Sequence, residues 1–291
     1  MAKTKVEFVC RECGASHHQW AGQCLDCKEW NTLEEIVISQ ATSSKPESLK
    51  DLPASKVQNL TEIKAQNKDR LSTGLSELDR TLGGGLVDGS VVLIGGDPGI
   101  GKSTLILQAL AKLNSDNTTL YVSGEESAEQ VSERAIRLGI KEDILFIGET
   151  HLEKIIKLSK DVKPKVIVID SIQTMVTDLS ASAPGSVTQV RDCAAQLTQY
   201  AKQTNTILLM IGHVTKGGAL AGPRILEHMV DAVLYFEGDA GGRYRIIRAV
   251  KNRFGAVNEI SVFAMGEKGL QQASNPSSIF LSNQENPSSG S

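Results

Sequence analysis

The stretch 90-SVVLIGGDPGIGKSTLILQALAKL-113 decides the fold of this chain. An apolar run of strand length, Ser90 to Gly95, leads into the pattern G-x-x-x-x-G-K-[ST] at Gly96 to Ser103, and the amphipathic segment Thr104 to Leu113 follows. Glycines in such a loop let backbone N–H groups surround phosphate at a helix N-terminus, where unpaired donors and the helix dipole favour an anion. The stretch therefore predicts a phosphate-binding loop for ATP or ADP, with a glycine-rich turn that binds nothing as the alternative.

Two side chains of the loop have distinct predicted tasks. The Lys102 ammonium would neutralise phosphate, and the Ser103 hydroxyl would hold Mg²⁺. Besides the Ser103 hydroxyl, a carboxylate is expected on the metal side of the site, and the apolar run Val166 to Asp170 ends in one. An ordinary loop-initiating aspartate is the alternative for Asp170. The predicted nucleotide contacts are Gly96, Asp97, Pro98, Gly99, Ile100, Gly101, Lys102, Ser103, Thr104 and Asp170.

A pair of glutamates, Glu125 and Glu126, follows the predicted strand Thr119 to Ser123. A carboxylate at a strand end beside the phosphates can orient the attacking water as a general base. Alternatively, both side chains lie in the first turn of the helix Ala128 to Leu138 and complement its dipole. Spacing alone does not choose between the two glutamates.

From Leu71 onward, apolar runs of strand length alternate with longer helical segments, which is typical of an α/β fold with a mainly parallel sheet. The last three runs lie closer together across glycine-rich turns, so we expect the sheet to finish with antiparallel strands. The predicted strands are Ser90–Gly95, Thr119–Ser123, Ile144–Ile147, Val166–Asp170, Ile207–Gly212, Ala232–Glu237, Tyr244–Val250 and Glu259–Met265. The predicted domains are a cysteine-rich module (1–37), a linker (38–70), the nucleotide-binding domain (71–270) and a flexible tail (271–291).

The formal net charge is −3, from 31 Lys and Arg against 34 Asp and Glu, so the chain as a whole has no positive field to attract nucleic acid. Any such binding would need a local basic patch. No apolar run approaches the roughly 20 residues that span a bilayer, and no apolar stretch follows the first five residues. We therefore expect a soluble, cytoplasmic, globular protein without membrane contact.

Four of the five cysteines form two C-x-x-C pairs. They are Cys10, Cys13, Cys24 and Cys27. Two such pairs can present four thiolates to one tetrahedral Zn²⁺ at about 2.3 Å. Four protein ligands leave no open position, so the predicted site is structural and stabilises a segment too short to build its own core. Disulfides are the alternative for these thiols. His17 and His18 could substitute as ligands, but four cysteines already fill the shell, so both are expected to be solvated loop residues.

Further motifs give the chain a family likeness. Leu71 to Arg80 (LSTGLSELDR), Leu82 to Leu86 (LGGGL) and the phosphate-binding loop resemble the core of the RecA-like ATPase family. With the cysteine pairs in front and Lys251 to Gly255 (KNRFG) behind, the chain is more closely similar to a bacterial DNA-repair branch of that family, over residues 5 to about 283. The family pattern continues into a domain that resembles the Lon protease, which this sequence does not include.

The resemblance implies a DNA-dependent ATPase, similar to replicative hexameric helicases, with ATP, Mg²⁺ and Zn²⁺ as cofactors. It implies a hexameric ring of identical chains that binds single-stranded and branched DNA and drives branch migration beside the RecA recombinase. It also favours Glu125 as the base, because Glu125 to Gln130 (EESAEQ) resembles a helicase stretch whose acid falls at this position. The alternative function is a nucleotide-switched signalling or timing ATPase that changes partners during slow turnover.

A catalytic role for Lys251 and Arg253 is also implied by the resemblance. By the period-two rule, Arg245, Ile247, Ala249, Lys251 and Arg253 share one strand face. In ring ATPases, a cation from a neighbouring subunit stabilises charge on the transferring phosphoryl group, an effect worth about 10³-fold or more. A solvated basic strand end and a contact with DNA phosphate are the alternatives.

DNA contacts are expected in the glycine-rich loop His213 to Arg224. In RecA-like motors the corresponding loop lines the central channel, and Lys216 and Arg224 can contact backbone phosphate without sequence preference. At the start of this loop, His213 is either a sensor of the γ-phosphate or a structural histidine. A second candidate loop, Thr177 to Val187, has no basic residue, and its case rests on position alone.

Overall fold

The computed structural model of the protein describes residues 5–10, 15–38, 70–113, 116–180, 182–213, 225–238 and 242–273. Most of the predicted linker and tail lies outside the described residues, as do Cys13, Lys216 and Arg224. The predicted domain boundaries stay predictions. Within the described ranges, every helix is too short or too polar to serve as a membrane span.

Near the N-terminus, the described residues form a small antiparallel sheet of three strands. The strands are β1 (Lys5–Cys10), β2 (Ser16–His17) and β3 (Leu33–Ile38). Their order in the sheet is β2-β1-β3. Among the side chains that the structure describes here, Cys10, Cys24 and Leu33 form a buried apolar cluster beside this sheet.

A second sheet organises the rest of the described chain. Its strands are β4 (Val91–Gly96), β5 (Thr119–Ser123), β6 (Leu145–Gly148), β7 (Val166–Asp170), β8 (Ile207–His213), β9 (Ala232–Glu237), β10 (Tyr244–Asn252), β11 (Ile260–Gly266) and β12 (Gly269–Gln272). The order is β12-β11-β10-β9-β4-β8-β7-β5-β6. The six strands from β9 to β6 are parallel, and β10, β11 and β12 extend the sheet in antiparallel fashion. The predicted α/β fold is confirmed, with β9 parallel to β4 where an antiparallel strand was expected.

Helices cover both faces of this sheet. They are α1 (Ser76–Thr81), α2 (Lys102–Leu113), α3 (Ala128–Leu138), α4 (Leu152–Val162) and α5 (Val187–Thr204). Successive side chains of β4 point to opposite faces, so Val92 and Ile94 pack in the core that contains α2, whereas Val91 and Leu93 pack in the core that contains α4 and α5. The result is a three-layer α/β/α arrangement with β4 near its middle.

Two further strands, β6 and β10, differ from their predictions. The apolar run at Ile144 to Ile147 was expected to be covered on both faces, but β6 lies at the edge of the sheet and Leu145 is exposed. In β10, the pairing with β9 shifts between Ala249 and Lys251. Such a bulge adds one residue and reverses the side-chain alternation, so Asn252 is the next buried residue and the strand ends before Arg253. The single shared face predicted for Arg245 to Arg253 is therefore wrong.

Parallel pairing brings the ends of four strands together. Gly96 of β4 lies opposite His213 of β8, and Ser123 of β5 lies opposite Asp170 of β7. At Gly96 the backbone φ is 156°, and an added Cβ would come within 2.8 Å of the Cβ of Phe236, so the position accepts glycine alone. We call this side, where the parallel strands finish, the carboxyl end of the sheet, and the side where they begin its amino end.

Candidate nucleotide site and metal centre

The loop Gly96 to Ser103 connects β4 to α2, and its lysine folds back onto the loop backbone. Lys102 is buried, and its Nζ donates to the carbonyl oxygens of Gly96 at 2.8 Å and Asp97 at 2.9 Å. The same Nζ lies 3.2 Å from Nδ1 of His213. Burial lowers the pKa of the Lys102 ammonium to about 8, although nearby carboxylates act in the opposite direction. The cation is thus held by carbonyl oxygens that phosphate oxygens can replace.

Asp170 finishes β7 directly beside this loop. Its carboxylate is buried, accepts a hydrogen bond from the Tyr121 hydroxyl, and is hydrogen-bonded by Ser103 as well. Burial raises the pKa of Asp170, and the two hydroxyl groups oppose that shift. A serine hydroxyl beside a carboxylate is the set of hard oxygen ligands that Mg²⁺ takes at a nucleotide site. Ser103 and Asp170 therefore fit the metal.

The two glutamates have different partners. Nε2 of His213 lies 3.1 Å and 3.2 Å from the two carboxylate oxygens of Glu125, which also accepts from the Ser171 hydroxyl. The contact with His213 is the main cause that lowers the pKa of Glu125, against the opposing effect of burial. Glu126 instead forms an ion pair with Arg134 of α3. Glu125 therefore faces the phosphate-binding loop, and Glu126 is tied to a helix.

Two supporting residues were missed by sequence reasoning. Arg245 of β10 is buried, and its Nε donates to the carbonyl oxygen of Ile100 at 2.9 Å, so it braces the loop from the side. Tyr121 is fully buried and holds Asp170. A signal was available for both, because a polar group at an inward position of a covered strand needs a buried partner.

Lys251 and Arg253 lie at the amino end of the sheet, away from the loop. Since β10 is antiparallel to β9, it finishes where the parallel strands begin. The Arg253 N–H donates to the carbonyl oxygen of Asp231 at 3.0 Å, and Asp231 N–H donates to that of Val91, the first residue of β4. The six residues of β4 separate this end from the loop by about 16 Å, at about 3.3 Å per residue. Neither cation spans that distance to the loop of its own chain.

In the N-terminal module, the Sγ atoms of Cys10, Cys24 and Cys27 lie within 4.8 Å of one another. The Cys10 and Cys27 sulfurs are 3.6 Å apart, which is much longer than a disulfide bond of about 2.05 Å. It is close to the sulfur separation of about 3.8 Å that tetrahedral Zn–S bonds of about 2.3 Å produce. These three thiols fit Zn²⁺, and the fourth predicted ligand, Cys13, lies outside the described residues.

The two histidines near the cysteines differ. His17 was expected to be solvated, but its side chain is largely buried, with Nε2 at 3.4 Å from Sγ of Cys24 and 3.5 Å from a carboxylate oxygen of Asp26. The expectation is wrong because β2 pairs with β1 and brings the ring over the cysteine cluster. His18 is exposed, as expected.

Fold and loop together define the class of protein. A RecA-like α/β core, with a glycine-rich loop that presents Lys102 and Ser103 at the start of a helix, is that of a P-loop ATPase. ATP and Mg²⁺ are the ligands of such a loop, and Zn²⁺ is the ligand of the cysteine cluster.

Comparison with known proteins identifies the family. The sequence pattern of the AAA domain family matches residues 58–219, more than half of the chain, so the chain belongs to this family. The pattern described as a rubredoxin metal binding domain matches residues 8–35. Over its whole length, the chain is similar to proteins named DNA repair protein RadA, at 56% identity for Pseudomonas aeruginosa, 50% for Escherichia coli and 48% for Bacillus subtilis. It spans 64%, 65% and 64% of their respective lengths.

We expect about one zinc ion per chain, measured by inductively coupled plasma mass spectrometry on the purified protein. Replacing Cys24→Ser removes one thiolate from the cluster and should lower the zinc content. The control is Cys193→Ala, because Cys193 is buried in α5, where burial raises the pKa of its thiol to about 12 and no metal cluster forms around it among the described residues. Equal zinc in all three proteins would contradict the assignment.

Proposed function

We propose that the chain is a DNA-dependent ATPase that acts in DNA repair and recombination as a ring of identical subunits. One observation carries the proposal: Lys102, Ser103, Asp170 and Glu125 meet at the carboxyl end of the sheet, whereas the cations after the β10 bulge lie at its amino end. A head-to-tail ring brings opposite ends of neighbouring chains together, which lets one chain complete the site of the next. The similarity to DNA repair proteins supports the biological role.

Within one chain, the proposed roles follow from the contacts of each side chain. Lys102 exchanges its carbonyl partners for phosphate oxygens, and Ser103 and Asp170 hold Mg²⁺, which neutralises charge on the phosphates when bound. Glu125 is ionised at neutral pH, since its pKa is lowered, and it orients the attacking water. His213 contacts both Lys102 and Glu125, so it responds to any movement of the lysine towards phosphate.

Between chains, Lys251 and Arg253 are proposed to act on the nucleotide of the neighbouring subunit. Both lie together at the amino end, where the nearby Arg253 and above all burial lower the pKa of Lys251. Positive charge placed beside the transferring phosphoryl group stabilises the charge that develops there. A monomer would therefore hold nucleotide but turn it over slowly.

DNA binding is proposed for Lys216 and Arg224. Their loop begins at His213, the last residue of β8, which touches the nucleotide-site residues Lys102 and Glu125. A loop that leaves directly from these contacts can pass a change at the phosphates to bound DNA. We propose that the ring moves single-stranded DNA in this way, promotes branch migration of recombination intermediates, and works beside the RecA recombinase.

A pair of isosteric substitutions separates the two glutamates. Glu125→Gln should lower kcat by about 10²- to 10⁴-fold, because the amide no longer orients the water as a base, while nucleotide affinity stays similar. Glu126→Gln is the matched control, which loses the ion pair with Arg134 and should lose thermal stability more than kcat. Steady-state ATP turnover and nucleotide titration measure these effects. A larger loss of kcat in Glu126→Gln would reverse the assignment.

Mixing inactive chains tests the shared site. Lys102→Ala and Arg253→Ala chains should each be inactive alone, and an equal mixture should recover up to about a quarter of the wild-type turnover, the fraction of interfaces at which an intact loop meets an intact cation. The control mixture is Lys102→Ala with Glu125→Gln, whose defects lie on the same side of the site, so that no interface is complete. No recovery in the first mixture would refute the site between chains.

Turnover with and without single-stranded DNA tests the motor. We expect DNA to stimulate ATP turnover, the stimulation to fall as salt rises, and the double variant Lys216→Ala/Arg224→Ala to be stimulated less. A matched control is Lys141→Ala, an exposed lysine beyond α3. A slow ATP turnover rate that DNA does not change at any salt concentration would favour the nucleotide-switched signalling ATPase instead.

A further inference from the structure

Asp231 is a buried carboxylate at the amino end of the sheet, where it meets three other parts of the chain. Its side chain is 3% exposed. One carboxylate oxygen accepts from the Val91 N–H at 3.0 Å and from the Lys202 ammonium of α5, and the other accepts from Nη1 of Arg253 at 3.3 Å. Two cations and a backbone donor therefore share one buried negative charge.

Backbone hydrogen bonds fix the same arrangement. Asp231 N–H donates to the carbonyl oxygen of Val91 at 2.9 Å, and Arg253 N–H donates to that of Asp231 at 3.0 Å. Val91 is the first residue of β4, and Gly96 at the other end of β4 begins the phosphate-binding loop. Strand β4 therefore connects the phosphate-binding loop at one end to Asp231 at the other, and Asp231 holds Arg253, the cation that the proposed ring offers to the neighbouring chain.

The Arg253 side chain is oriented by the Asp231 carboxylate but stays largely exposed to solvent. Its side chain is 57% exposed, although Asp231 holds one of its nitrogens. Lys202 competes for the same carboxylate, so the negative charge is not matched to Arg253 alone. Lys251 is held separately, through a hydrogen bond from its Nζ to the carbonyl oxygen of Glu227 at 2.6 Å. Within the described part of the chain, Arg253 therefore keeps donors that can reach beyond its own chain.

We propose that Asp231 is the positioning residue for Arg253: it directs the guanidinium towards the neighbouring nucleotide and couples that direction to β4. The inference rests on the proposed function, in which Arg253 acts between chains. A long arginine side chain has many rotamers, and a displacement of about 1 Å at a reacting centre can cost about 10²-fold in rate. A fixed buried carboxylate removes that freedom where it matters.

The test is Asp231→Asn in the full chain. The amide oxygen still accepts from the Val91 N–H, so the fold keeps this bond, but the charge that holds Arg253 is lost. Turnover should fall by about 10²-fold, and nucleotide affinity should stay similar, because the loop of the same chain is intact. Asp231→Asn chains should recover turnover when mixed with Lys102→Ala chains, which supply a correctly held Arg253. They should not recover with Arg253→Ala chains.

The recovery separates positioning from a general structural defect, since a misfolded chain has no intact loop to rescue. Asp88→Asn is the matched control, because Asp88 pairs with Lys165 at 2.6 Å at the same end of the sheet and does not contact Arg253, and it should turn over ATP within about twofold of the wild type. Wild-type turnover in Asp231→Asn overturns the inference. If Lys102→Ala chains rescue Arg253→Ala chains but do not rescue Asp231→Asn chains, the inference is overturned and the proposed function stands. If Lys102→Ala chains rescue neither variant, the inference and the shared site are overturned together.

Discussion

The register in which β4 pairs with β8 is the constraint on which the site depends. It sets Gly96 opposite His213, and so it places the lysine of the loop against the histidine that also touches Glu125. A slip of one residue would send every side chain of β4 to the other face, exchanging Val92 and Ile94 with Val91 and Leu93 between two different cores. Packing on both faces thus holds the geometry of the phosphate-binding loop.

Sequence reasoning succeeded where the signal is local. The loop motif, most of the apolar runs and the cysteine-rich segment that fits zinc each depend on neighbours within a few residues, and the α/β fold follows from the alternation of those runs with helices. It failed where a distant partner decides. The bulge between Ala249 and Lys251 arises from pairing with β9, and the burial of His17 arises from pairing with β1. Spacing could not rank Glu125 against Glu126, because their difference lies in contacts with His213 and Arg134.

Hydrogen bonds between buried polar groups hold residues of the site in position. The buried guanidinium of Arg245 is satisfied by the loop carbonyl of Ile100 and by neighbouring carbonyls, and the buried hydroxyl of Tyr121 is satisfied by Asp170. Leaving either partner without its hydrogen bond costs about 1–3 kcal/mol, more where a charge is involved. Each contact therefore holds a nucleotide-site group in one orientation. The site is ordered because a buried polar group that loses its hydrogen bond is not compensated by water.

Strand β4 and its neighbour β8 connect the nucleotide site to the two regions that would act between subunits and on DNA in the proposed ring. The carboxyl end of β4 opens into the phosphate-binding loop, and its amino end is bonded to Asp231, which holds Arg253. β8 ends at His213, from which the candidate DNA loop departs. A strand packed on both faces moves as a unit rather than bending, because cores at native density resist deformation. In the proposed ring, any displacement of β4 by nucleotide in one chain would reach the cation offered to the next chain through Asp231, and DNA bound after β8 would act on the same pair of strands.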